Sequence, residues 1–148
     1  MNLEQNRLRL SNIAELTHNI LFMDMVLELR ISADESTLPD EEALAGMQLK
    51  NLRSLTLTNC QMGPYGAKLL RQTLIERSVL KELVLAGNPL GRRGARQVAL
   101  LIKNSLHLRL LDVSRCRIRN SGLSYLALAT TGRHCNVRRL VVQENEID

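Results

Sequence analysis

One period governs this chain. The segments LRSLTLTNCQMGPYGAKLL from Leu52, LKELVLAGNPLGRRGARQV from Leu80 and LRLLDVSRCRIRNSGLSYL from Leu108 align at steps of 28 residues, and VRRLVVQENEID from Val137 follows 29 later. A period of this length means that each copy is one supersecondary unit, able to bury its apolar face only by stacking on its neighbours. Places one, four and six are apolar throughout: Leu52/Leu55/Leu57, Leu80/Leu83/Leu85, Leu108/Leu111/Val113 and Val137/Leu140/Val142. The alternation at places four and six predicts a short strand. Ala67, Leu70 and Leu74, then Ala95, Val98 and Ile102, then Leu123, Leu126 and Thr130 recur at spacings of three and four, which predicts a helix after each strand.

Carried backward, the period predicts a unit from Asp24, with Leu27 and Leu29 at places four and six. A step of 19 residues earlier, Leu8-Arg9-Leu10-Ser11-Asn12-Ile13 copies the form of Leu55-Thr56-Leu57-Thr58-Asn59-Cys60. Six strand segments result, the first two degenerate, as terminal repeats usually are. Pro39 followed by Asp40-Glu41-Glu42 marks a helix start, because carboxylates are favoured in a first turn. One domain over residues 1–148 is expected, degenerate over 1–51 and regular over 52–148. It stops just past its last strand, so a truncated C-terminal end with exposed apolar surface is expected, where two copies could pair.

Gly87, Gly91 and Gly94, with Arg92 and Arg93 among them, lie between a strand and a helix, where a phosphate-binding loop would sit. The spacing recurs at Gly63 and Gly66 in a copy without phosphate-loop character, and no Lys-Ser/Thr pair follows it. The glycines are therefore read as making the tight turn, where a side chain would clash or φ must be positive.

The pattern LxxLxLxx(N/C)x(L/M)GxxGAxxL, with Cys60, Asn88, Cys116 and Asn145 alternating at place nine, resembles the ribonuclease-inhibitor class of leucine-rich repeats. The resemblance is specific from Leu52 to Asn145 and weak before that. It implies an α/β solenoid of about five and a half repeats, with a parallel sheet on the concave face and helices on the convex face. It also implies an intracellular scaffold that binds macromolecules, while the fold alone does not choose among them.

Charge is divided unevenly. Residues 1–49 carry three arginines against nine carboxylates, and residues 50–148 carry 17 Lys/Arg against six. In such a repeat places two, three, five, seven and eight are expected on the concave side. Place two reads Met25, Arg53, Lys81, Arg109 and Arg138. Like charges aligned at strand spacing repel, so the fold gains little from this column, and it is the candidate binding surface. Arg139 and Arg115 are its expected neighbours, with Glu82, Asp112 and Glu144 partly offsetting them. The bland alternative is a solvated basic edge. Arg92, Arg93 and Arg96, and Arg115, Arg117 and Arg119, form two further groups on the turns, which either extend the patch around the rim or are solubilising loop charges, the latter being the reading for Arg92 and Arg93.

Three widely spaced cysteines argue for a reducing compartment over a disulfide framework. Cys60 and Cys116, two repeats apart, are expected as small buried hydrophobes roughly 10 Å from each other. Cys135 beside His134 lacks a second Cys-His pair at metal-ligand spacing, and His18 and His107 stand alone. No nucleophile, base and oxyanion donors assemble, so neither an enzyme nor a cofactor or metal site is expected.

The resulting expectation is a non-catalytic protein-binding module for an acidic partner, cytoplasmic and in reach of the cytoskeleton. A polyanion binder (nucleic acid or anionic lipid) is the alternative. Nucleic acid is disfavoured as the partner, single strands most directly, by an aromatic set limited to Phe22, Tyr65 and Tyr125. No apolar run reaches the length of a membrane span.

Overall fold

A computed structural model of the chain describes residues 7–10, 28–32, 51–75 and 79–147. Its elements are β1 (Arg7–Leu10), β2 (Glu28–Ser32), β3 (Ser54–Thr58), α1 (Pro64–Ile75), β4 (Glu82–Val84), α2 (Gly91–Asn104), β5 (Leu110–Asp112), α3 (Arg119–Thr130) and β6 (Arg139–Val141). The strands form one parallel sheet in chain order, with α1 against α2 and α2 against α3 on the other layer. Strands repeat at about 4.8 Å, whereas packed helices need about 8–10 Å. Stacking both layers repeat by repeat therefore bends the solenoid, sheet inside and helices outside.

The regular register follows the sequence period. Leu55, Leu83, Leu111 and Leu140 are successive partners at place four. Leu55, Leu57, Leu83, Leu85, Leu111 and Val113 are buried from the strands, and Ala67, Leu70, Leu74, Ala95, Val98, Ile102 and Leu126 meet them from the helices. On α3 the expected Leu123 and Thr130 are only half-buried, and Ala129 completes the face instead.

Further back the register corrects the sequence reading. Leu29, not Leu27, pairs with Leu55, and Ile31 pairs with Leu57. That unit therefore begins two residues later than its pattern implied, at Val26. Leu27-Glu28-Leu29 and Leu29-Arg30-Ile31 have the same alternation, and a slip of two residues leaves every side chain on its original face. The earliest strand was placed correctly relative to the regular copies, since Leu8 and Leu10 pair with Leu29 and Ile31. The expected helix start at Asp40 lies outside the described residues.

The turns are held by the ninth-place ladder. Asn88 Oδ1 accepts from the N–H groups of Cys60 (2.9 Å) and Met62 (3.1 Å), while its Nδ2 donates to the carbonyls of Leu57 and Leu85 (2.7 Å each). Asn145 does the same one pair of repeats later, accepting from Cys116 N at 2.8 Å and donating to Val113 O at 2.8 Å. Each asparagine thus satisfies buried backbone groups of the preceding turn, where no water can reach them.

Two glycines show where the repeat excludes a side chain, one in a turn and one where helices meet. Gly87 has φ +75, a conformation that L side chains rarely adopt. A Cβ on Gly122 would stand 2.8 Å from Ile118 Cβ and 3.0 Å from Ala95 Cβ, so α3 can approach α2 only without one. Gly63 departs from the expectation: its φ is not positive and its Cβ would meet nothing within 4 Å.

Candidate functional site

The cationic column begins as backbone geometry. Place two lies one residue ahead of each strand. There Lys81 N donates to Arg53 O, Arg109 N to Lys81 O and Arg138 N to Arg109 O, each at 2.8 Å. The same carbonyls of Arg53, Lys81 and Arg109 also accept from Glu82, Leu110 and Arg139 at 3.1, 3.0 and 3.0 Å. These shared bonds hold Arg53, Lys81, Arg109 and Arg138 in line at strand spacing. All four side chains are exposed. The ion pairs among the described residues, Arg30 with Glu28 and Arg119 with Glu146, lie elsewhere.

The column runs along the N-terminal edge of the sheet. Places three and five alternate with the buried leucines and form the concave face itself. They carry Glu28, Ser54, Glu82, Leu110 and Arg139, and Arg30, Thr56, Val84, Asp112 and Val141. That surface is mixed in charge: Ser54 Oγ donates to Glu82 at 3.2 Å, Arg30 pairs with Glu28 at 2.6 Å, and Asp112 accepts from Ser114 N at 2.9 Å. Arg139 is exposed and adjoins the column beside Arg138. Arg115 does not join it. It lies in the turn three residues past the end of β5, with left-handed backbone, whereas Arg109 precedes the start of that strand by one residue. Met25 drops out of the series, because the corrected register assigns place two of its unit to Leu27; both lie outside the described residues.

The cysteines are polar members of the ladder as well as core residues. Cys60 and Cys116 are buried and free of disulfides. The Cys116 thiol donates to Leu85 O at 3.2 Å and to Ser114 O at 3.3 Å, and burial pushes it up to about 11. A thiol so protonated is a weak nucleophile at neutral pH. Cys135 is free and half-buried against the core beside an exposed His134. Among the described residues no three His, Cys, Asp or Glu side chains converge as a metal site would require. Among them, too, no helix is long and apolar enough to cross a membrane.

Arg92, Arg93, Arg96 and Arg119, expected on the turns, lie in the opening turns of α2 and α3 and belong to a second basic surface that repeat position alone did not assemble. Helices α1, α2 and α3 contain no Asp or Glu, yet Lys68 and Arg71 lie on α1, Arg92, Arg93, Arg96 and Lys103 on α2, and Arg119 on α3. Across the α2–α3 seam, Arg92 Nη2 donates to Tyr125 Oη at 3.1 Å, with its guanidinium carbon 5.8 Å from the ring centroid. That hydrogen bond, the charge of Arg92 and more distantly that of Arg96 lower the phenol's pKa. The signal was present in the sequence as the absence of acids over 64–75, 91–104 and 119–130. The three segments form one surface only when the repeats stack α1 on α2 and α2 on α3.

Parallel strands in chain order, helices on one side and an Asn/Cys ladder beneath the turns define a leucine-rich-repeat solenoid. The family pattern described as Leucine Rich repeat matches residues 48–70 and 104–127. The ribonuclease inhibitor of Sus scrofa is 31% identical over 97 residues, covering 65% of this chain and 21% of that protein. The chain has the leucine-rich-repeat fold and is similar to the ribonuclease-inhibitor class of these proteins; it spans about a fifth of the length of this curated relative. Domains of this class generally mediate protein–protein interaction and are typically non-catalytic.

Proposed function

We propose that the module binds an acidic protein partner through Arg53, Lys81, Arg109 and Arg138, with Arg139 extending the column at its last strand. The observation that carries this reading is the run of 2.8 Å backbone bonds that aligns four exposed cations without an ion-pair partner among the described residues. Repulsion along the column gives the fold little on its own account, whereas a row of carboxylates laid against it would be attracted at every step. Arg115 contributes only where a partner reaches across the sheet to its far edge. Free thiols and this charge pattern fit a cytoplasmic setting, and acidic tails of the kind displayed by the cytoskeleton have the matching chemistry.

The test compares the wild-type chain with a variant carrying Arg53, Lys81, Arg109 and Arg138 all changed to Glu, by lysate pull-down and by anisotropy of a labelled tubulin-tail-type acidic peptide. Recovery of a defined set of proteins, and peptide binding, by the wild type alone supports the column. Equal recovery by both chains removes it.

A further inference from the structure

The convex helix layer is a separate surface from the column, and its chemistry is narrower. We infer that α1 and α2, with Tyr125 from α3, bind the phosphate backbone of double-stranded nucleic acid. Lys68 and Arg96 occupy the same repeat position on adjacent helices, and Arg92 stands one turn from Arg96 on α2. Side chains four apart on a helix are neighbours, and adjacent helices lie about 8–10 Å apart. Lys68, Arg92, Arg93 and Arg96 are exposed, and no carboxylate is present on any of the three helices to neutralise them. Tyr125 adds a phenol already held against Arg92 at 3.1 Å.

The occupant follows from what this surface lacks. A protein interface is centred on apolar and aromatic anchors, and a peripheral membrane surface needs apolar side chains to insert. Among the described residues the large exposed apolar side chains on the three helices are Tyr65, at the start of α1, and Leu128, near the end of α3, with Leu106 just past the end of α2. A phosphate backbone asks only for donors and positive charge. The helices are about 20 Å long at 1.5 Å per residue, and a duplex carries about one charge per 1.7 Å of its axis. The layer therefore faces about a dozen phosphates, roughly half of them on the near side, comparable with its own cation number. Single strands are poorly served, since stacking platforms are nearly absent.

The experiment measures anisotropy of a labelled mixed-sequence duplex of about two helical turns as salt is varied. It uses the wild-type chain, the variant Lys68→Glu/Arg92→Glu/Arg96→Glu and the four-residue column variant, with polyglutamate and anionic phosphatidylserine vesicles as competitors. The inference expects steep salt dependence for the wild type, and a slope reduced by about three in the convex variant. Affinity should fall more than about tenfold in that variant, while the column variant, which removes more total charge, keeps most of it. A Lys68→Gln/Arg92→Gln/Arg96→Gln chain, shown folded by circular dichroism, repeats the test if the Glu variant fails to fold. Loss of duplex binding in the column variant but not in the convex one overturns the inference. So does equal competition by polyglutamate or by vesicles, or no duplex binding by the wild type. None of these last three outcomes touches the acidic-peptide test of the column.

Discussion

Two adjacent turns occupy the same place in successive repeats with different backbone and different chemistry. After β4 the chain reads Ala86-Gly87-Asn88-Pro89-Leu90-Gly91; after β5 it reads Ser114-Arg115-Cys116-Arg117-Ile118-Arg119. In the first, the positive-φ positions are glycines, φ 75 at Gly87 and 58 at Gly91. In the second, three arginines hold φ 53, 54 and 58, a left-handed conformation that costs an ordinary L residue about 1–2 kcal/mol. The difference goes with the ninth residue of the following repeat. Asn145 offers an oxygen on which the N–H groups of Cys116 and Ile118 converge, at 2.8 and 3.4 Å, and the left-handed residues between and beside them aim those groups inward. Cys116 offers the earlier turn a donor and no such acceptor, so that turn provides for itself: Pro89 has no N–H, and Leu90 N donates to Asn88 O at 2.7 Å. A turn is thus matched to the residue one repeat ahead, and the Cys/Asn alternation is an alternation of hydrogen-bonding needs.

The sharpest way to break this pairing is Asn88→Ala. It leaves the N–H groups of Cys60 and Met62 and the carbonyl of Leu57 without their side-chain partner in a dry interior, so urea unfolding should show a loss of about 4 kcal/mol. Asn88→Cys restores a donor but no comparable acceptor and should recover only part of that. An Asn88→Cys chain as stable as wild type would end the account of the alternation.

Next in size is the pH response of Cys116. Its thiol is raised by burial from 9.0 to about 11, so the folded state holds the proton more tightly than the unfolded chain. The associated stability is complete below about pH 9 and is lost as pH rises toward about 11. At 1.36 kcal/mol per unit this amounts to about 2–3 kcal/mol. The measurement is the difference between wild-type and Cys116→Ala unfolding free energies from pH 8 to 11; a difference independent of pH would refute it.

Smaller and opposite in sign is Arg117→Gly, which relieves a left-handed side chain at no cost to the Asn145 bonds. Thermal unfolding should show a gain of about 0.5–1 kcal/mol, less whatever the glycine loses in chain entropy. Gly91→Ala, at φ 58 with open space around it, should lose about 1 kcal/mol in the same assay. The least effect belongs to Glu146→Gln, which breaks an exposed pair with Arg119 at 3.0 Å and should move stability by less than about 0.5 kcal/mol, vanishing at high salt.

Much of this was legible in the residues. Leu55, Leu83, Leu111 and Leu140 announce the sheet by recurring at a fixed step, and Asn88 and Asn145 announce the ladder by their place in it. The column Arg53, Lys81, Arg109 and Arg138 was likewise visible, because register in a solenoid repeats with sequence. Less was visible at the degenerate end, where Leu27, Leu29 and Ile31 offer two equivalent alignments and only pairing with Leu55 separates them. Arg115 is an expected neighbour of the column by its repeat place, although β5 stands between it and Arg109.

Sequence alone determined the solenoid, because a period that places apolar residues at one, four and six leaves each unit a face that only a neighbouring copy can cover. It also determined which residues sit beneath the turns. Tertiary structure decided what those residues do: whether Cys116 is a filler or a donor, which arginines carry left-handed backbone, and which cations share a surface. Those properties belong to pairs of repeats. Hydrogen bonds and charge are settled by distances between residues some 28 positions apart, which a linear pattern locates in register but does not measure.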